Sequence, residues 1–249
     1  MKYLSVLDDI KSGIFCRQDI LEAFLKIDPE YNIASFNRHF SRLAFSGYIE
    51  NVGENLYIKV TADTARKFYK YKDSSMEMAA VESFLGKEFP LADFIVFETV
   101  KLNEFFIHQI AQNTIIVMVE RMLMDAVFEE LNEKFPSVMF APTIEEISRY
   151  GIDCSIIIVK LHTRYPKNTK QKRGYSIEKL IVDLFAEKVL EAFLNQDDYP
   201  AALETAFKQY RINETRLFNY AKSRRVDTEI RTMIRDKTGI KLYTDKENT

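Results

Sequence analysis

In the stretch SFNRHFSRLAFSGYIENVGENLYIKV (residues 35–60), Phe36, Phe40 and Leu43 recur at helical spacing. With those three turned inward, Ser35, Asn37, Arg38, Ser41 and Arg42 are left facing out. Arg and Asn are the side chains that pair bidentately with guanine and adenine edges, and Ser can touch phosphate. The chemistry this pattern offers is therefore the reading of duplex DNA, with Asn55 at the following hairpin tip as a further contact. Glu50 and Glu54 stand in or beside that hairpin, where Lys or Arg would grip phosphate. The same outward set would serve equally as the ordinary surface of a protein-binding module.

Other chemistries find less material. His39, His108 and His162 fall on three different predicted elements, and Cys16 and Cys154 have no metal-type neighbours, so neither a zinc site nor a catalytic triad is expected. The seven glycines are scattered, without the loop patterns that cradle phosphate. A metal-dependent nuclease would need acids at strand ends with an acid-x-Lys pair. Glu98, Glu120 and Asp153 border strands, but none begins such a pair. The run HTRYPKNTKQKRGYS (residues 162–176) carries Arg164, Lys167, Lys170, Lys172 and Arg173 and no acid. It reads as a solvated loop or as a docking surface for an acidic partner or nucleic acid. Lys222, Arg224 and Arg225 form a second basic cluster, which reads as part of the same partner or toxin-neutralisation surface or as positive charge complementing a helix C-terminus.

The elements that must position these residues follow from periodicity and stop signals. Helices are predicted near residues 4–12, 17–27 and 33–46, the second broken by Asp28-Pro29 and the third stopped by Gly47. Residues 48–52 and 56–60 alternate in the strand manner around Gly53-Glu54-Asn55. Residues 61–75 read as a connector. Helices and strands then alternate, with strands near 93–100, 114–120, 138–141 and 154–161, a strong helix over 176–194, and closing helices near 200–210, 213–223 and 227–237.

Composition fits a soluble globular protein: 47% hydrophobic and 29% charged, with no apolar run approaching the roughly 18–20 residues of a membrane span. Two cysteines are too few for a disulfide framework, and the acids in MKYLSVLDDIKSG argue against an export signal. The net charge of −2 is unevenly spread. Residues 1–60 carry 7 Lys/Arg and 8 Asp/Glu, residues 61–159 carry 9 and 16, and residues 160–249 carry 19 and 13.

Several phrases resemble the abortive-infection antitoxins of the AbiEi type. SGYIENVGENLYIKV is similar to their winged segment, FETVKLNEFFIHQIAQNTIIVMVE to their α/β core, and SIEKLIVDLFAEKVLEAF and QYRINETRLFNYAKSRR to their second domain. The resemblance implies a DNA-reading helix over 34–44 and a wing over 48–60 that bind the promoter of the protein's own operon. It also implies a second domain, rich in basic surface, that counteracts a nucleotidyltransferase-type toxin without stable contact.

The expectation is thus an α+β protein. A winged helix-turn-helix over 1–60 and a connector over 61–75 would precede a mixed α/β domain over 76–249 with a helical C-terminal tail. It would be a cytoplasmic antitoxin-like autoregulator with no catalysis, cofactor or metal of its own. Its partners would be double-stranded operator DNA and a cognate toxin or that toxin's substrate, with no membrane. The alternatives are a non-catalytic interaction factor of a defence system, and a divergent restriction-endonuclease-like nuclease in which Glu98, Glu120 and Asp153 would converge.

Overall fold

The computed structural model describes residues 4–10, 13–62, 64–70, 74–153, 155–167 and 174–245. The chain is mixed α+β with a helical C-terminal region. It divides into two compact units: Met1–Phe68 with Gln209–Arg216 and Lys241–Thr249, and Tyr69–Lys208 with Leu217–Ile240. Two C-terminal segments thus belong with the N-terminal residues, where a linear division would put all of 76–249 together. Backbone pairing is the cause: the Lys67 N–H donates to Gln209 O (2.8 Å), and the Arg211 N–H donates to Lys67 O (2.8 Å).

In the first unit, α1 (Val6–Asp9) and the short strand β1 (Ile14–Phe15) lead into α2 (Arg17–Ile27). Asp19 starts α2 by accepting the Cys16 N–H at 2.6 Å, one of the donors a helix start leaves unpaired. The helix expected over 33–46 is a 3-10 turn, Ile33–Ser35, followed by α3 (Phe36–Phe45). Asn32 opens that turn by accepting the Ala34 N–H. Gly47, at φ 78°, ends the helix in a conformation that costs a side-chain-bearing residue more. Strands β2 (Ile49–Gly53) and β3 (Leu56–Lys59) form the hairpin, with a register shift between Asn51 and Gly53 and Asn55 in the left-handed region at the tip. Pairing of β1 with β3 makes an antiparallel sheet of order β1-β3-β2. Phe15, Ile20, Phe24, Phe36, Phe40 and Leu43 centre the core beneath it.

The second unit begins with α4 (Met76–Glu88), capped by the Ser75 hydroxyl on the Met78 N–H. Strands β4 (Phe94–Glu98) and β5 (Thr114–Val119), helix α5 (Met124–Lys134), strand β6 (Val138–Phe140), helix α6 (Ile144–Tyr150) and strand β7 (Ser155–Lys160) follow. The sheet order is β4-β5-β7-β6, with β4 antiparallel to β5 and the other pairs parallel. Helices α4 and α5 cover one face, packing Val81, Leu85, Val127 and Leu131 on alternate residues of β4, β5 and β7. The helix α7 (Ile177–Ala186) is buried all round from Ile177 to Leu184. The chain closes with α8 (Tyr199–Gln209), α9 (Glu214–Arg224) and α10 (Asp227–Lys237). Among the described residues, no helix is long and apolar enough to cross a membrane.

Candidate nucleic-acid interface

Helix α3 buries Phe36, Phe40 and Leu43 and exposes Asn37, Arg38, Ser41 and Arg42, while Ser35 is half-buried. No acid occurs in its sequence, FNRHFSRLAF. Phe45 ends the same exposed side and is 93% exposed. Between the arginines, the His39 imidazole meets the Tyr31 hydroxyl at 2.7 Å. Its pKa lies below the ordinary value, through desolvation first and then the adjoining positive charges of Arg38 and Arg42.

Arg17, in the first turn of α2, links this helix to the hairpin. Its guanidinium carbon lies 4.6 Å from the Phe40 ring centre and 5.2 Å from that of Phe36. Its Nη2 donates to Asn37 Oδ1, and its backbone N–H donates to Asn55 Oδ1 at 3.2 Å. Asn37 and Asn55, singled out as separate contacts from their residue types, are joined through one arginine.

The hairpin departs from the sequence expectation at Glu50. This carboxylate is not presented to phosphate; it is 2% exposed and faces Arg211 Nε at 3.4 Å. Burial raises its pKa, and Arg211 and Arg66 pull it partly back. Arg211 is held in turn by donating to Arg66 O (3.0 Å) and lying over the Phe68 ring. Near the tip, the Glu54 N–H donates to Thr215 Oγ1 at 2.8 Å. A Cβ on Gly53 would sit 3.1 Å from that oxygen and 3.3 Å from Thr244 Cγ2, so segments 209–216 and 241–245 brace one side of the hairpin.

The basic residues singled out in the second unit differ in their surroundings. Arg164, Lys222 and Arg225 are exposed. Lys167 pairs with Asp93 at 3.1 Å. Lys170, Lys172 and Arg173 lie outside the described residues. Arg224 corrects the expectation of a surface cluster. Its side chain is 5% exposed, and it donates to Asp183 (2.9 Å), Glu187 (2.8 Å) and Ala186 O (3.1 Å). Asp183 draws it inward, because a fully buried carboxylate needs opposite charge. Asp183 also pairs with Lys179 and accepts from Tyr175 and from Tyr220 (2.9 Å).

A family model matches residues 35–240. The chain belongs to the family of unknown function DUF6577. No curated protein matches the sequence. The DUF6577 match takes in α3, the hairpin and the second unit, and leaves Arg17 upstream of its first residue.

In this DUF6577 chain the three acids of the nuclease alternative do not converge. Glu98 pairs opposite Ile115 at the start of β5, and Asp153 accepts the Asn113 N–H beside it. Glu120 follows the far end of that six-residue strand, about 17 Å away at ~3.3 Å per residue. Among the described residues no group of three or more His, Cys, Asp or Glu is placed to hold a metal ion. Sequence reasoning missed Arg17 and the Lys179–Asp183 pair. The second had a signal: oppositely charged residues four apart inside the apolar run IEKLIVDLFA. Arg17 had none, since its partners lie 20 and 38 residues away.

Proposed function

We propose that the first unit is a winged helix-turn-helix that binds duplex DNA through α3, and that the protein is an antitoxin-like transcriptional regulator of its own operon. One observation carries the DNA reading: an exposed helix side with Asn37, Arg38, Ser41 and Arg42 and no acid on that helix. Such a side is complementary to the phosphate backbone and to base edges together. Charge is more favourable than residues 1–60 suggest. With its C-terminal segments the unit carries 13 Lys/Arg against 12 Asp/Glu, and two of those acids, Glu50 and Glu214, are buried. Glu214 is occupied in accepting from the Tyr243 and Thr244 backbone.

The test is a mobility-shift assay on the DNA upstream of the gene. Arg38→Ala with Arg42→Ala should weaken binding by about tenfold or more. It should also make the salt dependence shallower by roughly 2 in log–log slope. No shift with the wild-type protein at low salt would remove the proposal. The antitoxin half rests on the AbiEi resemblance, and co-expression with the neighbouring gene, scored for growth, tests it. A protein-binding winged helix is the second reading, favoured by the fully presented Phe45 ring. In that case Phe45→Ser would abolish partner capture while Arg38→Ala would not.

A further inference from the structure

Arg17 decides which way two asparagines face. A guanidinium and a backbone N–H hold only donors, so the side-chain atom meeting each must be the amide oxygen. Asn37 gives its oxygen to the guanidinium and Asn55 gives its oxygen to the Arg17 N–H. Both amide nitrogens are thereby turned away from Arg17, as donors. Arg38 and Arg42 beside them are exposed and have donors alone. An Asn free to turn would pair bidentately with adenine, accepting from N6 and donating to N7. Here the guanidinium already holds one lone pair of the oxygen that the adenine amino group would need, and its positively charged N–H groups oppose that approach. Guanine offers the matching edge, with acceptors at both N7 and O6.

Resting on the DNA-binding reading above, we infer that Arg17 is a positioning residue which makes the exposed side of α3 a donor surface selective for guanine in the major groove. The stacking on Phe36 and Phe40 fixes the guanidinium that does this.

Selection of duplexes from a random-sequence library by the full chain tests it. The wild type should enrich guanine at the positions under α3, by about tenfold over adenine at the position read by Asn37. Arg17→Met keeps an apolar stem over the two rings and frees the Asn37 oxygen. It should bring guanine and adenine to within about twofold at that position alone. Asn37→Asp, a substitution on the exposed side that leaves the core untouched, replaces donors with acceptors. It should exchange guanine for cytosine, whose N4 amino group donates; this decides the matter should Arg17→Met fail to fold. Binding without base preference would mean a grip on phosphate only and would overturn the inference while leaving DNA binding intact. Adenine selected by the wild type would overturn it too. Failure of the wild type to retain any duplex at low salt would remove the DNA reading and this inference together.

Discussion

Glu50 is a carboxylate with both oxygens buried and neither hydrogen-bonded, opposed by the Arg211 guanidinium at 3.4 Å. Its pKa stands above the ordinary 4.5 because loss of water outweighs the attraction of Arg211 and Arg66. The folded protein therefore takes up this proton at higher pH than the unfolded chain does. The contribution to stability is complete below about pH 4.5 and is lost as pH rises through the raised value. Glu50→Gln should accordingly match or trail the wild type near pH 4 and gain on it toward pH 7.5. Melting curves at the two pH values check this; an advantage that shrinks with rising pH would contradict it.

At the scale of the element, α7 is unusual in burying Lys179 and Asp183 along with its apolar residues. Asp183 is the hub: it faces Lys179 and Arg224 and accepts from Tyr175 and Tyr220. Both tyrosines have pKa values raised by burial first and by the Asp183 charge second, so each holds its proton and donates it to the carboxylate. Asp183→Asn would leave two buried cations with Glu187 as the remaining acid in the set. Removing one partner of a buried pair costs about 3–5 kcal/mol. We expect a loss of that size in urea denaturation, and a smaller loss for Lys179→Met, since Arg224 still compensates the carboxylate. Equal losses would mean that Arg224 does not share the charge of Asp183.

Over the whole molecule, the first unit is completed by residues far along the chain. Arg211 supplies the counter-charge to Glu50, Thr215 accepts from Glu54, and Glu214 orders residues 243–244. Arg211→Met should lower the melting midpoint by several degrees, as loss of a buried counter-charge costs a few kcal/mol. It should also speed amide exchange in the hairpin while β5 amides keep their protection. Unchanged hairpin exchange would show that the C-terminal segments do not brace it.

Local pattern made much of this legible. The helical spacing of Phe36, Phe40 and Leu43 marked α3 and its outward residues, and Gly47 marked its end. Alternation marked β2 and β3, and apolar runs marked the strands of the second sheet. These features depend on residues within a few positions of one another, so composition and period carry them. Tertiary structure alone decided the rest: the burial of Glu50 and Arg224, the joining of Asn37 and Asn55 through Arg17, and the return of 209–216 to the N-terminal unit. Each depends on a charge or polar atom finding a partner brought near by folding rather than by sequence. Whether a side chain is surface or core is then set by that partner and not by its own residue type.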